Sequence, residues 1–87
     1  MDAIKKINKY MAAEATTPSV SARTLADLII SLESEESFTV VRLYLLEDDL
    51  FLLSLELIKE WRVNERHPEK TQALEIALQI SQHELPI

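Results

Sequence analysis

Two histidines are the first residues whose side chains could do chemistry. His83 shares a helical face with Gln79 and Glu75, which lie four and eight residues earlier. His67 stands directly before Pro68. A transition-metal site requires three or four converging ligands of suitable type, and the spacing provides no such set. We therefore expect no metal and no cofactor, and we interpret both histidines as exposed residues near helix ends.

Six acidic residues form two clusters that could bind a cation or act as an acid–base pair. They are Glu33, Glu35, Glu36, Glu47, Asp48 and Asp49. A calcium loop needs alternating oxygen ligands, a glycine bend and a distal glutamate, and neither cluster has this pattern. Paired catalytic carboxylates need differently tuned surroundings, which clusters of such high charge do not offer. We interpret the six residues as an acidic surface that also caps helices.

The residue types that are missing exclude further classes of active site. The 87 residues contain neither cysteine nor glycine. Without cysteine there are no disulfides, thiolate metal sites or cysteine nucleophiles. Without glycine there is no P-loop, dinucleotide fingerprint or nucleophile elbow, so no serine has the setting of a nucleophile. We predict that the chain is not an enzyme.

The negative charge is concentrated in one part of the chain. Nine basic and fifteen acidic residues give a net charge of −6. Residues 31–56 hold seven acidic side chains and one arginine, which accounts for all of that net charge. Such a balance repels a phosphate backbone, so we expect no direct binding to nucleic acid.

No stretch of the sequence has the pattern of a targeting or membrane segment. The N-terminal residues carry charge but lead into no apolar run of signal-peptide length. The apolar run at 50–53 is far shorter than a membrane span. We expect a cytoplasmic protein that does not bind membranes.

Apolar residues at spacings of three and four predict two helices in the first half of the chain. One stripe runs through 2–15. A break at Pro18 follows, and either Thr17 or Ser21 is the predicted N-cap of the next helix. The apolar stripe of that second helix consists of Leu25, Leu28, Ile29 and Leu32. A polar connector at 33–37 ends it.

The segment 38–46 is apolar on nearly every face, so its sequence fits a helix or a strand. A strand would pair with 50–57 across Glu47, Asp48 and Asp49, which are poor residues for a tight turn. Acids suit the first turn of a helix, with Asp48 or Asp49 as N-cap. We therefore predict a short buried helix at 38–46 followed by a helix at 49–64. An α+β fold with a hairpin at 38–57 is the alternative.

Helix 49–64 is predicted to lie at the centre of the fold. Its core stripe is Leu50, Leu53, Leu57 and Trp61, while Leu52 and Leu55 fall on the opposite side. A last helix is predicted from Pro68 to about residue 83. Its two apolar ridges are Leu74, Ala77, Leu78 and Leu85 in one row, and Ala73, Ile76 and Ile80 in a second.

These elements predict a single all-α domain over 1–87, a compact bundle of four or five short helices. Helices 38–46 and 49–64 would form a central hairpin, and the other helices would pack around it. A bundle this small cannot cover every apolar face, so we expect the remaining faces to bind a protein partner, most simply a second copy of the chain. The residues predicted to bind this partner are Leu52, Leu55, Ile76 and Ile80.

The concentration of acidic residues favours a second interpretation of the function. An acidic protein can occupy a basic groove on a partner protein in place of nucleic acid. The six clustered carboxylates would supply that surface. The sequence therefore predicts a homodimeric interaction module, with an acidic inhibitor or nucleic-acid mimic as the alternative.

Overall fold

The computed structural model describes residues 2–63 and 68–82, and within these ranges every regular element is helical. The elements are α1 (Asp2–Glu14), α2 (Val20–Ser34), a 3₁₀ helix (Val40–Leu45), α3 (Asp48–Val63) and α4 (Pro68–Gln82). The radius of gyration is 11.8 Å, close to the value of about 12 Å for a compact fold of this length. The predicted all-α bundle is confirmed, and the alternative hairpin at 38–57 is wrong.

The first turn of α1 is capped by a residue from a distant part of the chain. The backbone N–H groups of Ala3 and Ile4 donate to the carboxylate oxygens of Glu60 at 3.1 and 3.3 Å. The first N–H groups of a helix have no partner within it, and a negative group beside them also favours the positive end of the helix dipole. Glu60 therefore joins the start of α1 to the C-terminal half of α3.

The N-cap of α2 is Ser19, so the predicted caps Thr17 and Ser21 are both wrong. Ser19 has extended backbone angles, and its Oγ accepts a hydrogen bond of 3.1 Å from the backbone N–H three residues later. Two residues of α1 hold it in place. The Tyr10 hydroxyl lies 3.2 Å from Ser19 Oγ, and the Glu14 carboxylate accepts from the Ser19 N–H at 3.1 Å. These tertiary contacts select the cap.

α2 and α4 are the most closely packed pair of helices because both present small side chains. Ala22 and Ala26 in α2 are fully buried, and so are Ala73 and Ala77 in α4. Alanines four residues apart on packed helices let the two axes approach closely. Larger apolar side chains from all four α-helices complete the core, and the fully buried ones are Ile4, Ile7, Met11, Leu25, Ile29, Leu57 and Ile80.

The face of α4 that packs in the core is only partly the predicted ridge of Leu74, Ala77 and Leu78. Ala73, Ala77 and Ile80 are fully buried, whereas Leu74 is half-buried and Leu78 is 45% exposed. Two apolar ridges a fraction of a turn apart leave the orientation of a helix undetermined by spacing alone. The small side chains of the alanines determine the orientation of α4, because they permit α2 to approach closely.

α3 lies at the side of the bundle and not at its centre. Helix α1 packs along both α3 and α4. Leu50, Leu57 and Trp61 are buried as predicted, with Leu53 half-buried. At the C-terminal end of α3, Lys70 Nζ donates to the Trp61 carbonyl at 2.6 Å and lies 5.1 Å from the centre of its ring. The predicted central hairpin is wrong, since α2 and α4 form the centre.

Candidate functional site

The 3₁₀ helix rests on the bundle through one row of side chains and one ion pair. Leu43 and Leu46, three residues apart, are buried. Arg42 donates to the Asp27 carboxylate of α2 at 2.9 Å, and its guanidinium lies 5.4 Å from the centre of the Phe38 ring. A 3₁₀ helix repeats every three residues, so only one of its three faces contacts the core. The segment predicted as a buried helix at 38–46 is therefore helical only over Val40–Leu45, as a 3₁₀ helix, and Leu43 is its one buried residue.

The outer side of the 3₁₀ helix carries exposed apolar side chains. Tyr44 is 72% exposed and Leu45 is 73% exposed, and the neighbouring Val40 and Val41 are also exposed. A surface helix normally turns polar residues outward, and this one does not. An exposed apolar face of this kind is typical of a surface that binds a partner.

This apolar surface continues onto α3. The rings of Tyr44 and Phe51 are tilted against each other with their centres 6.4 Å apart. Leu55 lies one turn beyond Phe51, and Leu52 lies three residues before Leu55 on the outer side of α3. Leu52 is 60% exposed and Leu55 is 45% exposed. We refer to the residues Val41, Tyr44, Leu45, Phe51, Leu52 and Leu55 as the 3₁₀–α3 surface.

Two open grooves lie along the 3₁₀–α3 surface. The first, of about 230 Å³, lies between the 3₁₀ helix and α3 and is lined by Tyr44, Leu46, Asp48 and Phe51. The second, of about 310 Å³, lies between α1 and α3 and is lined by Lys6, Asp49, Leu52, Leu53 and Glu56. Apolar walls with charged residues at the edge suit an apolar side chain from a protein partner.

The four residues predicted to bind a partner do not form one surface. Leu52 and Leu55 are exposed on α3 as expected, while Ile76 is half-buried on α4. Ile80 is fully buried in the core, so its assignment to a partner surface is wrong. The physical reason is the orientation of α4, which turns Ile80 inward beside its buried alanines. Ile76 lies on α4 and the two leucines lie on α3, and these two helices share little contact.

The six acidic residues are all exposed and lie on either side of the 3₁₀ helix. Glu33, Glu35 and Glu36 lie at the end of α2, where Glu35 adopts the left-handed conformation that ends the helix. Asp48 and Asp49 lie in the first turn of α3, and their charge favours the positive end of its dipole. Glu47 precedes them, and its carbonyl accepts the first hydrogen bond of α3. Asp48 or Asp49 is the predicted N-cap, but both lie inside α3, so helix termination and the dipole of α3 account for the positions of both clusters.

Within residues 2–63 and 68–82, no three histidine, aspartate or glutamate side chains lie close enough to hold a metal ion. His67, His83 and Leu85 lie outside the described residues. None of the helices in the described ranges combines the length and the apolar character that crossing a bilayer requires.

The spacing of apolar residues in the sequence predicts the exposed residues of α3 in the 3₁₀–α3 surface, but not those of the 3₁₀ helix. Leu52 and Leu55 fall opposite the core stripe of α3, and this offset is visible in the sequence. Val41, Tyr44 and Leu45 lie in a segment that is apolar on nearly every face, and a continuous apolar run predicts burial, so their exposure is not visible in the sequence.

Comparisons of this chain with protein-family models, with curated proteins and with solved structures find no match. The function must therefore be argued from the surface itself.

Proposed function

We propose that the chain is a small, non-enzymatic protein–protein interaction module that pairs with a second copy of itself through the 3₁₀–α3 surface. The observation that supports this proposal is the grouping of exposed apolar side chains. Eight large apolar side chains among the described residues are at least 45% exposed, and six of them lie between residues 40 and 55. Scattered exposure of apolar residues is ordinary, whereas grouping in one surface is typical of an interface.

A second copy is the simplest occupant of such a surface. Closed two-fold pairing covers the same apolar patch on both chains with one interface. Each Å² of apolar surface removed from water contributes about 25 cal/mol, so exposed side chains of this size favour association. Tyr44 also has the amphipathic side chain that is enriched at protein interfaces.

The test compares two leucines that are equally exposed at different places. Leu55→Ser removes an apolar side chain from the 3₁₀–α3 surface, and Leu78→Ser removes one from α4, and both leucines are 45% exposed. Sedimentation velocity should show self-association of the unmodified chain, weakened about tenfold or more by Leu55→Ser and unchanged by Leu78→Ser. Equal effects of the two substitutions would contradict binding through this surface.

A second candidate function is the acidic mimic that occupies a basic groove on a partner protein. The observation that favours it is that Asp48 lines the first groove, while Asp49 and Glu56 line the second. Its test is binding to an immobilised basic DNA-binding protein, with duplex DNA as competitor. Changing the six clustered acids to their amides should abolish that binding, while Leu55→Ser should leave it intact. Binding that survives the amide changes would exclude this function.

A further inference from the structure

The outer face of α3 has a row of exposed side chains at alternating spacings of four and three. The row consists of Asp48, Leu52, Leu55, Lys59 and Arg62, and all five are exposed. This spacing is that of the seam between two paired helices, and over two heptads a straight helix keeps it on one face. The opposite face of α3 is buried in the core through Leu50, Leu57 and Trp61. We refer to the exposed row as the α3 seam.

The charges on the α3 seam are ordered along the helix. An acid lies at the start, two leucines lie in the middle and two basic residues lie at the end. Leu55 is the midpoint between Asp48 and Arg62, seven residues from each. Asp48 and Arg62 are about 21 Å apart along the helix axis, so they are too far apart to pair within one chain.

This order makes the seam complementary to a reversed copy of itself. If two α3 helices pair antiparallel about a two-fold axis at Leu55, Asp48 of each copy faces Arg62 of the other. Leu55 then meets Leu55 of the second copy at the centre. A parallel pair would instead place Asp48 beside Asp48 and Arg62 beside Arg62, and like charges in contact disfavour that arrangement.

The antiparallel arrangement also covers the exposed 3₁₀ helix. That helix lies beside the edge of α3 that carries Phe51 and the half-buried Ile58. In an antiparallel pair this edge faces the same edge of the second copy. Tyr44 of one copy then lies towards Ile58 of the other, and both apolar parts of the 3₁₀–α3 surface are covered.

We propose that the homodimer is an antiparallel, two-fold pair of α3 helices centred on Leu55 and aligned by reciprocal pairing of Asp48 with Arg62 and Lys59. This inference rests on the proposed function, because it specifies how the second copy is bound. The isologous geometry requires that every contact occurs twice, so each charge contributes at two places in the interface.

Charge reversal followed by mixing tests the arrangement. In Asp48→Lys homodimers both ends of the seam bring two basic residues together, and in Arg62→Glu homodimers both ends bring two acids together. Each variant alone should self-associate about tenfold more weakly or worse than the unmodified chain. An equimolar mixture of the two should form a heterodimer with the original affinity, because both of its end contacts are then of opposite sign.

Glu36→Lys is the matched control for Asp48→Lys. It makes the same change in net charge at an exposed position in the connector after α2. Because both changes reduce the net negative charge of −6, a loss of association specific to Asp48→Lys cannot result from overall repulsion. Circular dichroism verifies that each variant is helical.

A second measurement does not depend on the stability of the charge variants. The chain contains no cysteine, so a nitroxide can be attached through Glu56→Cys alone, at an exposed position that leaves Leu55 in place. Two labels beside the two-fold axis should show strong dipolar broadening, and labels attached through Leu78→Cys should not.

The outcomes separate the arrangement from the proposed function. Restored pairing in the mixture, with broadening between labels attached through Glu56→Cys, supports the antiparallel seam. If the unmodified chain dimerises and Leu55→Ser weakens it, but the mixture fails to restore pairing, the seam is wrong and the interaction surface stands. If the unmodified chain is monomeric at high micromolar concentration, both proposals are wrong.

Discussion

Glu35 is in the left-handed conformation, with φ 59° and ψ 36°, and a helix that ends in this conformation usually has glycine there. Its N–H and that of Glu36 both donate to the Ser31 carbonyl, which closes the last turn of α2. A residue with a Cβ is disfavoured in this conformation by about 1–2 kcal/mol. A chain without glycine therefore ends its best-defined helix with a local strain in the backbone.

Replacing this residue with glycine should stabilise the protein. Glu35→Gly removes the clash of the Cβ, and the greater freedom of glycine in the unfolded chain offsets part of the gain. We expect the free energy of unfolding to rise by about 0.5–1 kcal/mol in chemical denaturation. Glu36→Gly, next to it and without a left-handed backbone, is the control and should be neutral or destabilising. A loss of stability in Glu35→Gly would contradict this account of the cap.

Among the elements, α1 and α3 are joined by a polar contact as well as by apolar packing. Glu60 of α3 accepts from the first free N–H groups of α1, and Lys70 at the start of α4 donates to a carbonyl near the end of α3. Each side chain satisfies backbone groups that a helix end leaves without partners. The two contacts fix where the ends of α1, α3 and α4 meet.

Removal of the Glu60 carboxylate should weaken this junction. Glu60→Ala leaves the N–H groups of Ala3 and Ile4 without their acceptor, and loss of a helix cap costs about 0.5–2 kcal/mol. Thermal or denaturant unfolding measures the change. Glu75→Ala, an exposed glutamate on α4, is the control and should change stability by less than about 0.5 kcal/mol. Equal effects of the two substitutions would show that Glu60 is not a cap.

Sequence spacing located all of the helices and most of their limits, because the apolar stripes repeat with the helical period. It did not give the cap of α2, since Ser19 is selected by contacts with Tyr10 and Glu14 on another helix. It also did not give the rotation of α4, which depends on the close approach of α2 to buried alanines. Contacts between elements decided each feature that the spacing missed, including the burial of Ile80 and the exposure of Tyr44.

For the whole molecule, the position of α3 at the side of the bundle explains why one surface is left apolar. The core forms between α2 and α4, with α1 beside them, so that α3 contributes one face to it and presents the other outward. The 3₁₀ helix adds the exposed side chains of Val41, Tyr44 and Leu45 beside that face of α3. The candidate site is therefore a consequence of the packing order of the helices, and half of it could not be inferred from one helix at a time.

The oligomeric state of the unmodified chain tests the central claim most directly. Sedimentation equilibrium over a concentration series that extends to the high micromolar range gives the mass in solution without any label or substitution. The account predicts a mass that rises with concentration towards twice the 10.0 kDa of a single chain and fits a closed monomer–dimer equilibrium. A mass of one chain at every concentration would contradict it.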